Sequence, residues 1–132
     1  MDVIVDASII IAVIADEPEK LAIISLTSGA NIAAPQSVHW EIGNAFSAML
    51  KRNRVTLEQA LKAVGVYRMI PIRFLDIDLE EALEISAQLN IYAYDAYLIQ
   101  AARQYKLPLM TLDKNFLMYA EQKGVSVIEV DL

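Results

Sequence analysis

Five short apolar runs punctuate the chain: "DVIVD" (2–6), "NIAAP" (31–35), "IRFLDI" (72–77), "LPLMT" (107–111) and "VSVIEV" (125–130). Between them apolar residues recur at the i, i+3, i+4, i+7 spacing of one helix face, which predicts helices over 8–15, 18–28, 37–52, 56–69, 78–89, 93–105 and 114–122. Strands alternating with helices predict a parallel sheet in an α/β domain. Local signals mark the helix ends. Thr56 with Gln59, and Asp78 with Glu81, have capping-box spacing, and Pro18 suits the first turn of its helix. Gly29 and Gly124 follow helical runs and are placed to stop them.

Residues 37–69 hold two consecutive helical patterns with no strand between them, joined at "RNRVT" (52–56). They predict an α-hairpin inserted into the alternation. Val38, Ile42, Ala45 and Met49 form the first apolar stripe, and Leu57, Leu61, Val64 and Arg68 follow one side of the second helix. One stripe elsewhere is broken by a charge. In "YAYDAYLIQAA" (92–102), helical spacing puts Asp95 at the head of the face that carries Leu98, Ile99 and Ala102. A carboxylate on a core-facing stripe must be neutralised, used as a helix cap or bound to a cation.

Composition narrows the class. The 132 residues are 56% hydrophobic, enough for a single domain over residues 1–132 with a sizeable core. The longest apolar run, Ile9 to Ala15, is far short of the ~20 residues of a membrane span, and no cleavable leader precedes it. The expectation is a cytoplasmic protein with no membrane association. The chain has no cysteine, so disulfides, thiol nucleophiles and thiolate metal sites are excluded. A formal charge of −6 requires local cations if a phosphate backbone is to be held. The mean hydropathy of +0.38 suggests apolar surface covered by another chain.

Against that background four acids stand out. Open parallel sheets bind ligands beyond the carboxyl ends of their strands. Asp6 ends "VIVD" and Asp113 follows "LPLMT" after one residue, so both belong on that rim. Glu41 and Asp95 lie near the beginnings of helices that approach it. Aspartate is also a favoured helix cap, which is the competing reading for each Asp. Crowded carboxylates repel unless protonated or bridged by a cation. With one histidine, His39, read as a packing residue beside Trp40, the ligands are hard oxygens suited to Mg²⁺ or Mn²⁺ rather than Zn²⁺.

Four ordered motifs, "VDAS" (5–8), "HWEIGNA" (39–45), "YDAYLIQAA" (94–102) and "TLDKNF" (111–116), together resemble the PIN-domain nucleases, especially the VapC-like toxins of prokaryotic toxin–antitoxin pairs. The resemblance implies a three-layer α/β/α fold with strand order 3-2-1-4-5 and a metal-dependent endoribonuclease. It implies that Asp6, Glu41, Asp95 and Asp113 are the catalytic, metal-binding acids, with Ser8, Asn44 and Thr111 as polar support. It further implies an RNA substrate, a cognate antitoxin that inserts a side chain into the site, and a homodimer. Lys51, Arg52, Arg54 and Arg103 are the cations available for RNA. Two alternatives remain: a PIN-type RNA-processing nuclease with no toxin role, and a receiver-like phosphoacceptor domain, which expects a lysine after its last strand that "VIEVDL" lacks.

Overall fold

The computed structural model describes residues 1–131. Five strands, β1 (Asp2–Val5), β2 (Asn31–Pro35), β3 (Ile72–Leu75), β4 (Leu109–Met110) and β5 (Val127–Ile128), form one sheet in the order β3-β2-β1-β4-β5. Every pairing is parallel. The helices are α1 (Ala7–Ile14), α2 (Lys20–Leu26), α3 (Ser37–Lys51), α4 (Leu57–Tyr67), α5 (Leu79–Leu89), α6 (Ala93–Tyr105) and α7 (Lys114–Gln122). From β1 the chain steps outward to β2 and β3, then returns past β1 to β4 and β5. Because parallel crossovers are right-handed, that reversal places α1–α4 on one face and α5–α7 on the other, giving three layers. It also creates a switch point between β1 and β4, where ligand sites form in such sheets.

The buried centre explains the order of elements. Val3, Ile4 and Val5 of β1 are fully enclosed, as are Leu109 and Met110 of β4, consistent with central strands covered on both faces. Helix α1 is buried almost all round through Ala7, Ile9, Ile10, Ile11, Ala12 and Ile14, and it packs against α2, α3 and α4. Helix α6 crosses β2, β1 and β4 with α5 beside it. No helix among the described residues is long and apolar enough to cross a membrane.

Several local expectations shift. The last three strands are shorter than their apolar runs, because ladder pairing ends before the apolar pattern does. Helix α2 starts at Lys20 with Glu19 as its N-cap, which leaves Pro18 in the preceding turn. Thr56 and Gln59 form the full reciprocal capping box. Asp78 accepts from the Glu81 amide at 2.8 Å, but the return bond is missing: the Asp78 N–H donates to Gln104 Oε1 instead, and Glu81 accepts from Gln100. Gly29 and Gly124 adopt positive φ, +77° and +74°, the left-handed geometry that lets a helix stop.

The α3–α4 hairpin is present, and Val38 and Ile42 lie in the core with Phe46, flanked by the partly buried Ala45 and Met49. Its second stripe is corrected. Helix α4 buries Ala60, Ala63 and Tyr67, whereas Leu57 and Leu61 are each 61% exposed and Arg68 lies outside. Small alanines let α4 approach α1 and α3 closely, so the larger leucines turn outward.

Candidate active site

Asp6 directly follows β1 and caps α1, accepting the Ile9 N–H at 3.2 Å. Its carboxylate is also gripped by side chains. Ser8 Oγ donates to Oδ1 at 2.6 Å, and the Thr111 hydroxyl donates to Oδ2. The same two hydroxyls stitch the β1–α1 loop to the β4–α7 loop, since Ser8 Oγ accepts the Leu112 N–H and Thr111 Oγ1 accepts the Asp113 N–H, both at 3.1 Å. Asp6 is only 9% exposed. Burial raises its pKa, the bonds from Ser8, Thr111 and Ile9 pull it down, and the charge of Asp113 raises it further.

Asp113 caps α7 with one oxygen, which accepts from the Asn115 and Phe116 amides at 3.0 and 3.2 Å. Capping and membership of the rim are therefore not alternatives for Asp6 and Asp113. Both lie between a strand and the helix that follows it, Asp6 directly after β1 and Asp113 three residues after Met110 of β4, and a carboxylate can serve the helix with some lone pairs while others stay available.

Asp95 resolves differently. The N-cap of α6 is Tyr92, and no side chain caps that helix. Asp95 lies in the first turn at the head of the stripe formed by Leu98, Ile99 and Ala102, all buried. Burial raises its pKa first, then Asp113, then Asp6. Glu41, in the second turn of α3, is partly buried, and its Oε2 is enclosed without a hydrogen-bond partner. Its pKa is pushed up to about 7, by burial and then by Asp6 and Asp95. The four acids thus share one electrostatic field on the carboxyl rim beside the β1/β4 switch point.

Among the described residues no three acids stand as a ready-made cage for an ion. The donor set nevertheless fits a hard divalent cation: all ligating atoms are oxygens, and Glu41 Oε2 lacks the partner that a buried carboxylate oxygen requires. His39 is engaged elsewhere, its Nδ1 2.9 Å from the Tyr67 hydroxyl. Asn44 is exposed on α3, three residues after Glu41 and so on the neighbouring surface of that helix.

The cations picked out in the sequence lie farther off. Lys51, Arg52 and Arg54 cluster at the hairpin tip, and helical rise alone sets Lys51 about 15 Å from Glu41. Arg103 is in the last turn of α6, about 12 Å along the helix from Asp95. Lys114, which opens α7 immediately after Asp113, stands nearer; its place inside "TLDKNF" was the signal for it.

Residues 3–122 match the model of the PIN domain family. No curated protein is similar enough to match. Solved structures share the fold at low identity. PAE2754 from Pyrobaculum aerophilum is 22% identical, over 98% of this chain and 84% of that one, with a TM-score of 0.72. VapBC2 from Rickettsia felis, bound to a DNA fragment from their promoter, is 15% identical over 99% and 100%, with a TM-score of 0.73. Mycobacterium tuberculosis VapC20, a Sarcin-Ricin loop cleaving toxin, is 14% identical over 88% and 93%, with a TM-score of 0.63.

Proposed function

Because the chain belongs to the PIN domain family, we propose that it is a divalent-metal-dependent endoribonuclease and the toxin of a VapBC-type toxin–antitoxin pair. The observation that carries the reading is the meeting of Asp6, Glu41, Asp95 and Asp113 on one rim, with a buried Glu41 oxygen left unpartnered. The observed strand order 3-2-1-4-5 also sets aside the receiver-type alternative, whose order is 2-1-3-4-5.

Asp6, Glu41, Asp95 and Asp113 would hold Mg²⁺ or Mn²⁺. The ion supplies Lewis acidity for the attack of water on a phosphodiester and for the charge that develops on the phosphate. Asp6 is the rigid member, since Ser8 and Thr111 donate to its two oxygens and offset part of the burial that raises its pKa. Hydrogen bonds behind a ligand orient it in this way. With its pKa raised to about 7, Glu41 is divided between its protonated and ionised forms near neutrality, and a cation held there would favour the ionised form. Asn44, exposed one turn beyond Glu41, would contact substrate or a water, and Lys114, next to Asp113 in the chain, would offer a cation to a phosphate.

The toxin reading draws support from the fold shared with VapBC2 and with the Sarcin-Ricin loop cleaving toxin VapC20. A cognate antitoxin would then cover the acids, and the outward leucines of α4 would serve a homodimer or that partner.

Purified protein is expected to cut RNA with Mn²⁺ or Mg²⁺ and to stop in EDTA. Equal cutting of single-stranded and structured RNA panels in EDTA would overturn the metal mechanism. Induced expression is expected to arrest growth, with relief by a small protein encoded alongside. Unchanged growth together with metal-dependent cutting would favour an RNA-processing nuclease without a toxin role.

A further inference from the structure

Three tyrosines flank Asp95 in the chain, Tyr92, Tyr94 and Tyr97, and the acids make no use of them. Tyr94 and Tyr97 meet edge to face, with ring centroids 6.2 Å apart and planes at 88°. Tyr97 forms one wall of a cavity of about 220 Å³ whose other walls come from residues 35–37 at the end of β2 and from 75–77 and Leu79 beyond the end of β3.

Position ties this cavity to the acids. It opens on the carboxyl rim, beyond β2 and β3, one strand over from Asp6. Ser37 precedes Glu41 by four residues, one turn earlier on the same face of α3, and Tyr97 belongs to the same helix as Asp95 but projects from a different side of it. The wall is also braced. The Asp76 carbonyl accepts from the Tyr105 hydroxyl at 2.6 Å and from Gln104 Nε2 at 3.3 Å, while the Asp78 N–H donates to Gln104 Oε1 at 2.9 Å. Helix α6 therefore holds the loop after β3 in place, and the cavity is preformed.

Its chemistry selects an occupant. No lysine or arginine lines it, so it is not built for a phosphate, which calls for charge-assisted donors. The lining combines an aromatic ring, the apolar Pro35, Leu75, Ile77 and Leu79, the acid Asp76, and two uncommitted polar groups. The Ser37 hydroxyl is buried without a hydrogen-bond partner, and Gln36, the N-cap of α3, makes no side-chain capping bond. A buried hydroxyl left unpaired costs stability, and rotation about one side-chain bond re-aims it. A flat heteroaromatic ring with a polar edge matches this set.

We propose that the cavity is a nucleobase subsite: a base adjacent to the phosphodiester held at the acids unstacks, lies against Tyr97 and turns its polar edge toward Ser37 and Gln36. The proposal rests on the nuclease reading and adds the substrate form. Single-stranded or looped RNA supplies such a base at least cost, because extruding one from a duplex first breaks its pairing and stacking. Tyr97 and Ser37 are then the residues that set which nucleotide lies beside the cut.

The test is cleavage of a randomised single-stranded RNA library in Mn²⁺, with the ends sequenced, by wild type, Ser37→Ala, Tyr97→Phe and Tyr97→Ala. Wild type should show a base preference at one fixed position beside the cut, and Ser37→Ala should flatten it. Tyr97→Ala should raise KM about 5- to 150-fold, the range expected for one lost base–aromatic stack, while Tyr97→Phe restores it. A wild-type profile without preference at either flanking nucleotide overturns the subsite, as does a preference unchanged in Ser37→Ala and Tyr97→Ala. Ser37→Ala deletes only an unpaired hydroxyl and should melt no lower than wild type. If wild type cuts nothing, the nuclease reading fails separately, and NMR titration of the metal-free protein with adenosine, guanosine, cytidine and uridine decides the subsite. Base-selective shifts of the Tyr97 ring that weaken in Ser37→Ala support it; no shifts overturn it.

Discussion

Glu41 and Asp95 are acids whose burial and neighbours favour the protonated form, and the sign of that effect yields a measurement. Glu41 has its folded-state pKa near 7 against an ordinary value of 4.5. The folded metal-free protein therefore binds this proton more tightly than the unfolded chain does, so the stability this residue contributes is fully present below about pH 4.5 and is lost as pH rises through about 7. Asp95 and Asp6, also raised, contribute in the same direction. Thermal unfolding in EDTA should show this decline, and Glu41→Gln should flatten it. Asp95→Asn should likewise stabilise the metal-free protein, because it removes one of the repelling charges. Saturating Mn²⁺ should reverse the ranking. An ion at ~100 times its dissociation constant stabilises the wild type by about 2.7 kcal/mol, and Asp95→Asn should lose most of that gain. Equal melting temperatures for wild type and Asp95→Asn, with and without Mn²⁺, would sink the shared cation site.

Helix starts are where the elements and the chemistry overlap. Asp113 accepts two amide hydrogen bonds from the first turn of α7, so its substitutions separate capping from charge. Asn caps about as well as Asp and removes a charge that repels Asp6 and Asp95, so Asp113→Asn should not lower thermal stability in EDTA while abolishing RNA cleavage. Asp113→Ala should lose cleavage as well and cost about 0.5–2 kcal/mol in addition. Denaturant titration together with a cleavage assay reads both. Full cleavage by a well-folded Asp113→Asn would remove this residue from the proposed ligand set.

The whole molecule carries a net charge of −6 yet displays apolar side chains on one helix. Leu57 and Leu61 stand one turn apart on the outer face of α4, and Trp40 is exposed on α3 at 66%. Leu57→Glu with Leu61→Glu should change folding stability by no more than ~0.5 kcal/mol, since neither side chain is packed in the core. The same pair should lower self-association in sedimentation velocity or weaken capture of the antitoxin. A monomeric wild type whose antitoxin binding ignores both changes would leave the face without a partner.

Much of this architecture was legible in the residue pattern because it depends on local periodicity. The alternation of strands and helices, the α-hairpin, the complete Thr56 capping box and the Asp95 stripe all arise within a few residues of one another, where spacing and side-chain type dictate conformation. The strand order 3-2-1-4-5 entered through the resemblance of four ordered motifs and not through periodicity, which is silent on which strands pair. Other features were decided only in three dimensions. Leu57 and Leu61 follow a helical stripe as well as any core residues, yet α4 packs through Ala60 and Ala63 because close approach to α1 and α3 favours small side chains. The Glu81 arm of a capping box was diverted by Gln100, nineteen positions away in the chain. The Thr111 hydroxyl reaches Asp6 across 105 positions, and Glu41 owes its raised pKa to burial and to acids on other elements. Each depends on which distant groups share a low-dielectric space, a property of the packed chain that no local spacing encodes.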